Sequence, residues 1–230
     1  DFMATGWTGP GTFEDEALQS YLATEGHVPF VVHYESAIAL AKEADRAIDF
    51  DDDVLETKRG ELFLGHMQYL LNEYLSRPDY YRVNGRPILI FYLVRDWDNW
   101  TGYMARFKEM ARDLAPYLVA DVVWWDRNPS PSDWRELSLH FEAITGYNLY
   151  DPSRPEEMQA YWEHVEEFWA RWQQAARNHG LAFVPTVMAG YDDRNLRGQG
   201  RPVLERQDGD IYRAAWETAK QFVDEDVPLV

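Results

Sequence analysis

Short apolar runs alternate with longer amphipathic stretches along nearly the whole chain, and this alternation limits the fold more than any other feature. It is the pattern of β-α units on a parallel sheet. A first strand is expected to end near Trp7, followed by a helix that Thr12 and Asp15 open as an imperfect capping box. Ala17, Leu18, Tyr21 and Leu22 give that helix its apolar side, and Gly26 stops it. His27–Glu35 reads as the second strand. Asp51, Asp52 and Asp53 are then expected at the positive end of a long helix, whose inner side carries Leu55, Leu62, Met67, Leu70, Leu71, Tyr74 and Leu75 until Arg77-Pro78 ends it.

Pro87–Tyr92 is the clearest strand in the chain. A helix follows with Trp100, Tyr103, Met104, Phe107, Met110 and Leu114, then strands at Leu118–Trp125 and Phe141–Tyr147. Pro129–Ser132 between those two strands reads as a loop. Pro155–Asn178 is a long helix, Leu181–Val187 the sixth strand and Asp210–Asp224 the last helix. Polar and aromatic residues follow nearly every strand, as in a barrel, whereas an open doubly wound sheet gathers them at one switch point. The fold class is therefore α/β, a (β/α)8 barrel with about six of its eight units in this chain. Residues 1–230 are read as one incomplete barrel domain, because the first and last residues lie inside expected strands and suggest truncation at both ends.

Composition narrows the chemistry. With 22 Lys and Arg against 40 Asp and Glu, the net charge is −18, a field that repels phosphate backbones and anionic lipid. Nucleic acid is a poor partner for such a surface, and neutral glycans are compatible with it. No apolar run is long enough to span a membrane, so no membrane insertion is expected. The absence of cysteine removes disulfides, thiolate nucleophiles and Cys-ligated zinc. No Gly-x-Gly-x-x-Gly follows a strand and no phosphate-binding Gly-Lys-Ser/Thr occurs, so no cofactor is expected.

His33-Tyr34-Glu35 ends the second strand. Its His-x-Glu spacing occurs in zinc deaminases, but those need a Pro-Cys-x-x-Cys partner, and no second ligand cluster is visible; no metal is expected. Glu35 is suited to bind substrate hydroxyls or to tune a second carboxylate, and the competing reading is a solvated carboxylate that starts a helix. Trp7, Trp97, Trp124 and Trp125 stand at or beyond strand ends, where flat faces can stack on sugars. Adjacent strand residues point to opposite sides, so only one of Trp124 and Trp125 can face a cleft, and Trp125 is the candidate. Trp162, Trp169 and Trp172 lie at helical spacing and read as packing.

Three segments resemble glycoside hydrolase family 99 and the related glycan proteins of the WbsX type: residues 2–15, from Phe-Met-Ala-Thr-Gly-Trp to Phe-Glu-Asp; residues 80–92, from Tyr-Tyr-Arg to Ile-Phe-Tyr; and residues 185–197, Pro-Thr-Val-Met-Ala-Gly-Tyr-Asp-Asp-Arg-Asn-Leu-Arg. They occur in the family's order. The resemblance implies a (β/α)8 glycosidase acting on α-linked, mannose-containing oligosaccharide or polysaccharide. It implies sugar contacts from Glu35, Tyr92, Tyr147, Tyr191, Asp193 and Arg197, with Glu35 the best catalytic candidate in this chain. It also places the catalytic pair in a last-strand Asn-Glu-Trp-x-Glu segment that does not occur here, so this polypeptide alone is expected to be inactive. The alternative is a non-catalytic glycan-binding or polysaccharide-assembly protein of the WbsX type. A third reading pairs Glu35 with Asp192 or Asp193 as the two carboxyls that glycoside hydrolysis requires.

Overall fold

The apolar runs become parallel strands. A computed structural model describes residues 2–44, 46–54, 56–122, 129–147, 155–192, 194–198, 203–225 and 227–229, without the side chains of 155–164 and 197. The chain groups into two compact units, Asp1–Asp121 with Leu139–Glu142, and Val122–Ser138 with Ala143–Val230.

In the first unit, β1 (Met3–Trp7), β2 (Phe30–Tyr34), β3 (Arg86–Phe91) and β4 (Tyr117–Asp121) are neighbours in chain order, every pair parallel. The short strand Arg82–Val83 adds an antiparallel edge to β3. Helices α1 (Phe13–Leu22), α2 (Arg59–Leu70) and α3 (Thr101–Met110) supply the crossovers. This mixed α/β, mostly parallel architecture with sequential strand order is consistent with a barrel-like fold, and among the described residues the strand order shows no reversal.

Register fixes which side chains share a face. Gly6 pairs with His33, His33 with Ile90, and Ile90 with Val119, so these residues lie on one face; Trp7, Tyr34 and Phe91 lie on the other. That second face is packed with aromatic rings: Phe63 of α2 lies 5.9 Å from Tyr34 and 6.1 Å from Phe91, and Phe107 of α3 lies 6.2 Å from Phe91. The burial of Phe30, Phe63, Phe91, Phe107 and Leu89 drives this layer together.

Several boundaries differ from expectation. The long helix begins at Arg59 and not at the aspartate run, and Asp53–Val54 pairs with Thr57–Lys58 as a hairpin. The reason is local. Asp49 turns its own carboxylate to the Asp51 N–H (2.9 Å), a side-chain turn that competes with helix. Leu55 lies outside the described residues. Arg59, 3% exposed, then locks the helix start by donating to the carbonyls of Leu40 (2.8 Å) and Asp49 (2.9 Å). Gly60 makes the close approach possible, since a Cβ there would stand 2.3 Å from the Tyr103 ring. The helix loosens into a π turn at Leu71–Leu75 before Arg77.

In the second unit, β5 (Ala143–Thr145) and β6 (Ala182–Val184) pair in parallel, both shorter than the expected strands. Pro131–His140 is a helix not expected from the sequence, and its first residues overlap Pro129–Ser132, which reads as a loop. Ser130 and Asp133 close it with a reciprocal capping box, the Asp133 carboxylate accepting from the Ser130 N–H at 2.7 Å and the Ser130 hydroxyl from the Asp133 N–H at 3.2 Å. The helix Pro155–Asn178 has the expected bounds, and Trp169 and Trp172 are buried as expected of packing residues. Trp169 meets Phe222 beyond the last helix, Asp210–Ala219. No helix among the described residues is long and apolar enough to cross a membrane.

Candidate functional site

The C-terminal ends of β1–β4 carry a polar cluster on the face opposite the aromatic layer. His33 and Glu35, two residues apart, point the same way, and His33 Nδ1 stands 3.5 Å from Glu35 Oε1. On the far side of the imidazole, Nε2 stands 3.7 Å from Asp121 Oδ2 at the end of β4. Neither separation is a closed hydrogen bond. His33 Nε2 is buried and has no hydrogen-bond partner among the described residues. The Tyr92 ring meets His33 edge-on at 5.6 Å.

Each position follows from local structure. The Glu35 N–H donates to the Trp7 carbonyl (2.9 Å), carrying the β1–β2 ladder one step past β2, and Glu35 then caps a single turn at Ser36–Ala39. Gly6 leaves room for the glutamate stem, because a Cβ there would lie 3.3 Å from Glu35 Cγ. The Tyr92 N–H donates to the Tyr34 carbonyl (3.0 Å), and buried Ser36 holds the Tyr92 carbonyl while accepting from the Trp97 indole (3.1 Å). Past Tyr92 the chain turns through Leu93 in the left-handed region, at φ +59°.

Charge is tuned within the cluster. Burial pushes the Glu35 carboxyl up from its ordinary value, and the carboxylate of Glu14 adds to this. Glu14 is itself lowered, chiefly by the Thr8 hydroxyl donating at 2.7 Å. Burial pushes the His33 imidazolium down to about 4, which leaves a neutral ring at neutral pH. A carboxyl shifted toward its protonated form next to a neutral imidazole is suited to give hydrogen bonds to a hydroxyl oxygen or a proton to a leaving group.

The structure brings together some of the residues expected to form a site; the others belong to the second unit or lie outside the described residues. Glu35 and Tyr92 meet around His33. Trp125 and Asp193 lie outside the described residues, as does the side chain of Arg197. Tyr147 is half exposed at the end of β5 in the second unit. Tyr191, also in that unit, exchanges backbone hydrogen bonds of 2.9 Å with Leu204 and lines an open cavity of about 690 Å³ with Asp192, Arg194 and Arg206. Asp192 is gripped by Arg194 at 2.9 and 2.7 Å and held down to about 2, so it is ionised and not a proton donor. Trp7 and Trp97 are not sugar platforms: they are 0% and 5% exposed, the first against His66 and Tyr69, the second against Phe50 and Phe63.

Asp121 was missed in the sequence. Its signal is an acid closing the apolar run Tyr-Leu-Val-Ala, a residue that burial tolerates only with partners. Among the described residues no three groups are arranged to hold a metal ion.

No protein-family model and no curated protein matches the chain. Solved structures do. The glycoside hydrolase family 99 endo-α-mannosidase from Bacteroides thetaiotaomicron, in complex with bis-tris propane, superposes with TM-score 0.60 at 16% identity, over 96% of this chain and 61% of that one. A further structure of that enzyme gives TM-score 0.60 at 16% identity, over 96% of this chain and 58% of its own. A glycoside hydrolase-like protein gives 0.72 at 13% identity, over 98% and 68%. The chain therefore spans 61% and 58% of the two endo-α-mannosidase chains. At these identities the likeness is one of fold, a glycoside-hydrolase-like fold of the family 99 kind.

Proposed function

We propose that this chain forms about six units of a (β/α)8 barrel and supplies the sugar-contacting face of a glycoside-hydrolase-like domain acting on α-linked, mannose-containing glycans. One observation carries the reading: Glu35, His33, Tyr92 and Asp121 converge on one face at the C-terminal ends of parallel strands, where barrel enzymes hold their substrates. Glu35 is the residue that meets the sugar. Its raised carboxyl suits hydrogen bonding to hydroxyls or protonation of a glycosidic oxygen, and the Tyr92 ring offers a flat neighbour. Tyr147, Tyr191, Asp193, Arg197 and Trp125 are further sugar-contact candidates that rest on the sequence alone.

Titrating the labelled chain with an α-linked manno-oligosaccharide tests it by amide NMR. Shifts are expected at Gly6, His33, Glu35, Tyr92 and Asp121. No binding up to about millimolar concentration, or shifts confined to other surfaces, overturns it. The second reading, a non-catalytic glycan-binding or assembly protein, draws support from Asp192, whose two oxygens are engaged by Arg194, which makes it a poor base or nucleophile to complement Glu35. Release of reducing ends in the same samples would overturn that reading.

A further inference from the structure

The three charged-type side chains of the cluster are ordered by exposure. The side chain of Asp121 is 2% exposed, that of His33 19% and that of Glu35 26%, so the series runs from the interior towards solvent. Asp121 lies beside one ring nitrogen and Glu35 beside the other, which is the layout of a buried acid that orients an imidazole, which in turn governs an outer group. Separations of 3.5 and 3.7 Å are long for hydrogen bonds, as such contacts often are before substrate arrives.

We propose that Asp121, His33 and Glu35 form a relay in which Asp121 fixes the His33 proton on Nε2, leaving Nδ1 to accept from the Glu35 carboxyl that meets substrate. His33 and Asp121 are positioning residues. The orphaned Nε2 is explained as a donor waiting on Asp121, and Nδ1 as the acceptor that keeps the Glu35 proton in place. The neutral ring and the raised glutamate agree with this order. Among the described residues, the titratable groups around His33 are Glu35 on its own strand end, Tyr92 past β3, Asp121 on β4 and, through Glu35, Glu14 on α1, with Gly6 paired to it on β1. The proposal takes from the glycan reading only what Glu35 touches.

Nitrogen-15 NMR of the full chain with labelled histidine tests it, with the His33 signals assigned by their loss in His33→Asn. At pH 7 His33 is expected as the neutral tautomer protonated on Nε2. A ring protonated on Nδ1, or a charged ring, overturns the relay. The second readout is a carbon-13 titration of the Glu35 carboxyl. Its midpoint is expected to fall in His33→Ala, which removes the acceptor, and to be held in His33→Asn, whose amide oxygen can take the place of Nδ1. An unmoved midpoint in His33→Ala counts against it. These readouts need no sugar, so failure to bind glycan sinks the functional reading and leaves the relay to stand or fall alone.

Discussion

Two polar groups in the first unit, one buried and one part-buried, face opposite sides of the same sheet and behave in opposite ways. Asp15, 0% exposed, lies on the helix side and accepts from the Trp7 indole (2.7 Å), the Gly11 N–H (2.9 Å), Gln19 (3.0 Å), Tyr69 (2.9 Å) and Tyr74 (2.5 Å). His33, on the other side, has carboxylates near both ring nitrogens and a closed hydrogen bond to neither. A buried carboxylate whose lone pairs are all engaged ties β1, α1 and α2 into one piece. A part-buried ring whose buried Nε2 is left without a hydrogen bond stores a cost that a fold built only for stability would have removed. The contrast separates scaffold from site without reference to any relative.

The largest expected effect comes from breaking the satisfied hub. Asp15→Ala strands donors from two tyrosines and an indole, and is expected to lower stability by about 3 kcal/mol or more, read from denaturant unfolding. A loss under about 1 kcal/mol contradicts the hub's role. Burial alone raises the Asp15 carboxyl, but the bonds from Tyr74, Trp7, Gly11 and Tyr69 outweigh it, so the net shift is downward. This part of the stability is present above the ordinary aspartate value of 3.8 and is lost as pH falls below it.

A second effect distinguishes the two faces by pH. His33 and His66, the latter bonded to the Tyr34 hydroxyl at 3.0 Å, are both pushed down by burial from 6.5 to about 4. In that window the unfolded chain binds more protons than the folded one, so stability falls as pH drops. The slope is about 1.4 kcal/mol per pH unit for each histidine. Glu35 opposes this, because its raised carboxyl favours the fold at the low end of its own window and loses that as pH rises. Thermal melts between pH 7 and pH 5 are expected to fall, and the fall to shrink in His33→Asn. A flat profile contradicts burial of neutral rings.

The smallest effect sharpens the site alone. In Gly6→Ala the new methyl meets Glu35 Cγ at 3.3 Å and must move it slightly. Oligosaccharide affinity is expected to weaken a few-fold, with stability changed by less than about 1 kcal/mol. An unchanged affinity would mean that Glu35 has room to spare.

The strand centres were legible because buried parallel strands are near-continuous apolar runs. Their ends were not. Phe141 looks like strand, but packs its ring against Phe91 and Trp100 before β5 begins. The Ser130–Asp133 cap is present in the sequence, but the two prolines around it look like loop and mask it. Thr12 caps α1 as expected, its hydroxyl accepting from the Asp15 N–H at 3.4 Å, but the Asp15 carboxylate turns inward to Trp7 and Tyr74. Nothing in spacing along the chain reveals that turn. The site divides in the same way: Glu35 and Tyr92 stand at visible strand ends, whereas the meaning of His33 depends on Asp121, two strands away in the sheet.

The most direct measurement is an oligosaccharide titration of Glu35→Gln alongside its urea midpoint at pH 7. The account predicts that affinity for an α-linked manno-oligosaccharide falls at least about tenfold, as for a lost hydrogen bond from a charged or acidic group, while the midpoint is kept or raised because a strained acid has been removed. Unchanged affinity with a lowered midpoint would make Glu35 part of the scaffold, like Asp15, and would contradict the account.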